Sequence, residues 1–67
     1  MYVRLDGMYG GMDHSAYYRK QGSCCFDLVN DKRYASDLTE EEVSRVMEHA
    51  EWHKKQYDAQ EVVVEPP

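Results

Sequence analysis

The chain has few cysteines, no proline before its last two positions and no long apolar run. Its two cysteines, Cys24 and Cys25, are adjacent, and neighbouring cysteines rarely bond each other because disulfide geometry allows a narrow range of separations. Without a disulfide framework, the composition indicates a reducing compartment. The first residues, MYVR, lack the apolar stretch of a signal peptide, and no apolar run reaches membrane-spanning length. We therefore expect a cytoplasmic protein.

Basic charge is scarce, and the shortage is confined to the second half of the sequence. The net charge is −5. Residues 1–35 hold five basic and four acidic side chains, whereas residues 36–67 hold three basic and nine acidic ones. Phosphate backbones and anionic membranes repel such a surface, and basic protein surfaces attract it. We expect no direct nucleic-acid or membrane partner, although an acidic composition also serves solubility alone.

A catalytic motif is missing as well. The glycine-rich stretch at residues 7–11, GMYGG, is followed by no Gly-Lys-Ser/Thr and matches neither phosphate-binding pattern. Sixty-seven residues make one domain, here 1–67, whose thin core leaves little room for a supported catalytic pocket. The sequence therefore predicts a protein that is not an enzyme and needs no cofactor.

The best local signal is the start of a helix. Thr39 is a good N-cap residue, and Glu42, three positions later, completes a capping box. Leu38 and Val43 are spaced as a hydrophobic staple requires. Apolar residues then recur with a period of 3.6, which predicts an amphipathic helix over about 40–57.

The remaining segments predict a small, mainly antiparallel sheet, giving an α+β fold in which the helix covers one face. Strands are expected over about 2–5, 23–29, 32–36 and 61–65, with a hairpin turn near Asn30-Asp31. Residues 6–22 are either an irregular Gly/Tyr-rich loop or a hairpin with a strand over 15–20. We expect three or four of these five segments to pair in the sheet, and residues 66–67 to form a tail.

Histidines and cysteines suggest a metal site only as an alternative. His49 and His53 share a helix face, and with Cys24, Cys25 or His14 they could bind zinc. Their segment, HAEWH, lacks the glutamate position of the zinc-protease pattern. We expect no metal, with His49 solvated, His53 at the edge of the core and the cysteines buried as small hydrophobic side chains.

Two groups of side chains are candidates for binding a partner. Carboxylates on a rigid helix can imitate the phosphates of a nucleic acid, and aromatic side chains are favoured in interfaces. An ordinary solvated helix face has the same composition. The candidate residues are Glu41, Glu48, Glu51, Tyr9, Tyr17, Tyr18 and Trp52.

The segment Lys32–Glu42, KRYASDLTEEE, resembles the strand–cap–acidic-helix junction of small proteins of bacterial viruses. In style the chain is similar to virus-encoded inhibitors of host defence, including anti-CRISPR proteins. This resemblance covers residues 32–57. It implies a non-enzymatic inhibitor or adaptor that blocks a basic nucleic-acid-binding surface of a host nuclease, such as a CRISPR effector, in the bacterial cytoplasm.

Two further interpretations stay open. One is a small regulatory or structural domain stapled by the metal site described above. The other is a homodimer or larger oligomer in which the Tyr-rich loop or the Val62-Val63-Val64 strand pairs with a second copy.

Overall fold

The structure is a computed structural model that describes residues 1–10, 14–22 and 25–66. These residues form a four-stranded antiparallel sheet in the order β3-β2-β1-β4 and one helix, which confirms the predicted α+β fold. Single 3₁₀ turns lie at Met8–Gly10 and Lys32–Tyr34. The elements are β1 (Tyr2–Asp6), β2 (Ser15–Gln21), β3 (Cys25–Val29), α1 (Glu40–Gln56) and β4 (Glu61–Glu65).

Helix α1 begins where its capping box predicts. The Oγ1 atom of Thr39 accepts the Glu42 N–H at 3.2 Å, and Glu42 Oε1 accepts the Thr39 N–H at 3.0 Å. Leu38 and Val43 pack in the same core cluster, as the staple requires. The helix ends at Gln56, one residue before the predicted end.

The core lies between α1 and one face of the sheet. Buried side chains alternate along β1 and β2, because successive strand residues point to opposite faces. The helix packs mainly on β1 and β4, at the side of the sheet away from β3. The most deeply buried side chains are Val3, Leu5, Ala16, Tyr18, Leu38, Val46 and Ala50.

The predicted strand over 32–36 is wrong, and so is its hairpin with β3. Residues Lys32–Tyr34 form a 3₁₀ turn instead, started by the Asp31 side chain, which accepts the Arg33 N–H at 2.9 Å. The inner side of β3 is already paired with β2. The chain therefore continues to the start of β1 and the end of β2. There the Leu38 N–H donates to the Met1 carbonyl at 2.6 Å, and the Met1 amino group donates to the Leu38 carbonyl at 2.9 Å.

The opposite face of the sheet carries ion pairs, and we call it the ionic face. Arg4 donates to Asp6 and to Glu65, both at 2.7 Å, and Lys32 donates to the second oxygen of Glu65 at 2.7 Å. Lys32 above all, with Arg4, holds the pKa of Glu65 below its usual range. Across β2 and β3, Arg19 binds both oxygens of Asp27. Most of the basic charge of the first half is neutralised on this face.

Candidate functional site

The outward face of α1, opposite the core, holds the predicted carboxylates together with Trp52. Glu41, Glu48 and Trp52 lie almost in line along the helix, because they are spaced by seven and four residues. Glu51 lies three residues after Glu48. All four side chains are exposed, Trp52 by 62% of its surface. We call these four residues the outer helix face.

This face keeps negative charge at Glu48 and Glu51, since most basic side chains in the described residues bind other carboxylates. Glu41 binds Arg45 at 2.9 Å, but Glu48 and Glu51 form no ion pair within the described residues. Six of the eight Lys and Arg side chains form ion pairs, and Lys54 and Lys55 form none with the described acidic residues. The six are Arg4, Arg19, Lys20, Lys32, Arg33 and Arg45.

The structure separates the predicted tyrosines. Tyr18 is 1% exposed and lies in the core, where its side chain faces α1 rather than solvent, so it differs from an exposed anchor and its role in partner binding stays a prediction. Tyr17 lies on the ionic face, where its hydroxyl donates to Glu65 at 3.2 Å. Tyr9 is 67% exposed and lies beside the end of α1. Tyr9 and Trp52 therefore remain the exposed aromatic candidates.

A row of rings connects these two residues. Ring centroids are 6.2 Å apart for Tyr9 and Tyr57, 6.2 Å for Tyr57 and His53, and 5.2 Å for His53 and Trp52. Tyr9 has a φ of 56°, an unusual left-handed conformation for an aromatic residue. Its N–H donates to the Tyr57 carbonyl at 2.8 Å, which holds the turn against the helix. The i, i+4 spacing of His53 and Tyr57 indicates their neighbourhood, but no sequence signal placed Tyr9 beside them.

His53 lies at the edge of the core, as predicted, and binds the buried tyrosine. Its Nδ1 atom is 2.8 Å from the Tyr18 hydroxyl. Burial raises the pKa of Tyr18 to about 12. Burial, with the nearby His49, lowers the pKa of His53. The neutral imidazole is therefore favoured here, and it can accept the tyrosine proton in a hydrogen bond.

A groove that the sequence did not predict lies between α1 and β3. It consists of two adjacent cavities of about 570 and 360 Å³, which share Tyr18, Phe26 and His53 in their walls. Val46, Glu48 and His49 border the larger cavity, and Leu28 and Tyr57 border the smaller one. We call this the β3 groove. Sequence reasoning missed it because the helix position across the sheet is a tertiary property.

Cys25, His49 and His53 all border the larger cavity. Among residues 1–10, 14–22 and 25–66, however, no group of three His, Cys, Asp or Glu side chains is arranged to hold a metal ion. Cys24 lies outside the described residues, so a site that includes it stays a prediction. Cys25 is exposed, which corrects the expectation that it is buried.

No known protein provides a guide to the function of these two features. The protein-family models, the curated proteins and the solved structures give no significant match to this chain. In the described part of the chain, no helix combines the length and the apolar character needed to cross a membrane. The outer helix face and the β3 groove are the two features on which a functional proposal can be based.

Proposed function

We propose that the chain is a non-enzymatic inhibitor or adaptor that docks its outer helix face on a basic surface of a larger protein. The observation that carries the proposal is the exposed Trp52, which lies beside Glu48 and Glu51 on the same rigid helix. A large aromatic side chain left in water is typical of an interface anchor. A nucleic-acid-binding groove of a nuclease, such as a CRISPR effector, fits this combination of charge and aromatic surface.

The charged and aromatic side chains have different tasks in this proposal. Glu48 and Glu51 attract the basic surface and speed the encounter, an effect that salt screens. Trp52 loses its contact with water in the complex and slows dissociation. Tyr9, at the other end of the aromatic row, extends the contact past the end of the helix.

An edge strand favours self-association as a second candidate. β4 is at one edge of the sheet, and Val64 is 40% exposed there. A second copy could pair with this edge. Light scattering at two protein concentrations tests this function, because a mass that stays at 7.9 kDa at both concentrations contradicts it.

The docking proposal is tested by capture from bacterial lysates that contain nucleases, with washes at low and at high salt. The expected result is one dominant basic, nucleic-acid-handling protein that is lost at high salt. With that protein purified, Glu51→Lys should lower the association rate severalfold. Trp52→Ala should cost about 2 kcal/mol of binding free energy or more, through faster dissociation.

The matched control is Glu61→Lys, which makes the same charge change at an exposed residue of β4, away from the helix. Equal effects of Glu51→Lys and Glu61→Lys would show that only net charge matters and would contradict a specific helix-face contact. The absence of a stoichiometric partner at either salt concentration would also contradict the proposal. Circular dichroism checks that each variant is folded.

A further inference from the structure

The outer edge of β3 has backbone N–H and C=O groups open to a further strand at two alternate residues, Phe26 and Leu28. In an antiparallel sheet, the N–H and C=O groups of successive residues point alternately to the two sides of a strand. The Tyr18 carbonyl accepts the Ser36 N–H at 3.3 Å, and the Lys20 N–H donates to Ser36 Oγ at 2.8 Å. These groups of β2 therefore point away from β3.

It follows that the backbone groups of Arg19 point toward β3 and bond to those of its register partner, Asp27. The backbone groups of Tyr18 and Lys20 do not. The backbone groups of Phe26 and Leu28 then point outward, to the open side of the sheet. Among hydrogen bonds between described residues, none outside the sheet engages the backbone of these two residues.

The side chains of the same two residues line the β3 groove. Phe26 borders both cavities and Leu28 borders the smaller one. Because α1 packs mainly on β1 and β4, it covers Phe26 and Leu28 only in part, and both side chains are half-buried. A strand added to the edge of β3 would thus continue the sheet and direct alternate side chains into the groove.

A second copy of the chain does not fit this edge well. If two β3 strands paired through both Phe26 and Leu28, the symmetry axis would pass through Asp27. The two Asp27 side chains would then lie directly opposite each other, each already bound through both oxygens to its own Arg19, so this pairing brings like side chains together and adds no new ion pair. This argues for a different chain as the occupant.

The charge at the groove specifies the occupant further. Glu48 borders the larger cavity and forms no ion pair within the described residues. Arg45, the basic residue in the same wall, is already bound to Glu41 at 2.9 Å. A Lys or Arg side chain entering from outside would therefore find a carboxylate without a competing partner.

We propose that the β3 edge and groove bind an extended segment of the partner protein, with apolar residues at alternate positions and a Lys or Arg beside Glu48. The proposal rests on the docking function above and adds a second contact. Since Glu48 belongs to both the outer helix face and the groove wall, a partner on the helix can reach the groove without a gap.

The test uses a phage-displayed library of random 12-residue peptides, selected on the full chain. Enriched peptides should alternate apolar residues and carry a Lys or Arg. Bound to ¹⁵N-labelled protein, a synthetic enriched peptide should slow amide exchange at Phe26 and Leu28 at least tenfold. The Asp27 amide, already paired with β2, should change little and serves as the internal control. Failure to enrich any such sequence, or unchanged exchange at Phe26 and Leu28, overturns the proposal.

A matched pair of variants tests the groove itself. His49→Trp places an indole at the mouth of the larger cavity and should weaken peptide binding at least tenfold. Ser44→Trp places the same ring at an exposed helix position that borders neither cavity, and binding should change less than twofold. Equal effects overturn the groove proposal.

The two proposals fail in different ways. If the captured partner depends on Glu51 and Trp52 but leaves the exchange of Phe26 and Leu28 unchanged, the helix-face function stands and the groove proposal falls. If neither a captured partner nor a peptide binds, both fall.

Discussion

The two faces of the sheet are built from alternate residues of the same strands, yet they are stabilised differently. In β1, Val3 and Leu5 are fully buried, Val3 against Val46 of α1 and Leu5 in a second cluster with Met8 and Ala16. Arg4 and Asp6, which alternate with them, join the ion pairs of the ionic face. One face excludes water by apolar packing. The other stays partly wet, with polar groups that bind one another.

This difference explains where the molecule keeps its unpaired charge. The ionic face brings basic side chains of the first half of the chain to carboxylates of β1, β3 and β4. Those cations are therefore not free to neutralise the helix. The acidic helix face is a consequence of how the sheet arranges its charges as well as of sequence composition.

The largest loss of stability is expected from a substitution on the face of the sheet that packs in the core. Leu5→Ala should lower the free energy of unfolding by roughly 2–5 kcal/mol, because it removes a fully buried side chain. Arg4→Met, at the adjacent position on the ionic face, should cost about 1 kcal/mol, since its ion pairs are partly exposed. Urea denaturation measures both. Equal costs would contradict the distinction between the faces.

A smaller loss of stability is expected when the hydrogen bond between Tyr18 and His53 is removed. Tyr18→Phe removes the hydroxyl that lies 2.8 Å from His53 and should cost about 1 kcal/mol. Tyr34→Phe makes the same change at an exposed ring and should have no measurable effect. Thermal unfolding of both variants checks the difference. A Tyr18→Phe variant as stable as Tyr34→Phe would show that the hydroxyl contributes nothing.

The smallest effect is expected at the surface, where the helix begins. Lys20, then Thr39, lowers the pKa of Glu42 from 4.5 to about 2. Because the folded pKa is the lower one, the contribution of Glu42 to stability is complete above pH 4.5 and is lost as the pH falls towards 2. Glu42→Gln should reduce stability at neutral pH and flatten its pH dependence in that window.

Glu40→Gln is the matched control for this prediction, because Glu40 lies in the same helical turn and forms no ion pair within the described ranges. Both variants lose an interaction with the helix dipole. Only Glu42→Gln loses the ion pair with Lys20, because a Gln side chain can still accept the Thr39 N–H of the capping box. Identical pH profiles of the two variants, measured by urea denaturation between pH 2 and 7, would contradict a contribution of the Glu42–Lys20 ion pair to stability.

Local signals predicted the helix and four strands closely. The capping box predicted the start of α1, and strands near residues 2–5, 15–20 and 61–65 are present. The strand predicted over 23–29 is present as Cys25–Val29, and residues 23 and 24 lie outside the described residues. The strand over 32–36 failed because Asp31 caps a 3₁₀ turn with its own side chain, a local alternative to a hairpin. Strand propensity also fails to specify which strand is the neighbour, and β2 occupies the inner side of β3.

The structure places some of the predicted site residues together and separates others. Helical periodicity placed Glu41, Glu48, Glu51 and Trp52 on one exposed face. Tyr17 and Tyr18 could not be assigned to faces, since alternation tells that they point to opposite sides but not which side is buried. That choice was made by the position of α1.

The helix, its cap, its acidic outer side and the α+β class could be predicted from the sequence, because these depend on neighbours within a few residues. The strand order, the burial of Tyr18, the exposure of the β3 edge and the groove beside it became visible only in the folded structure. These depend on which strands pair and where the helix crosses them. Contacts between residues far apart in the chain set both, and no local pattern encodes them.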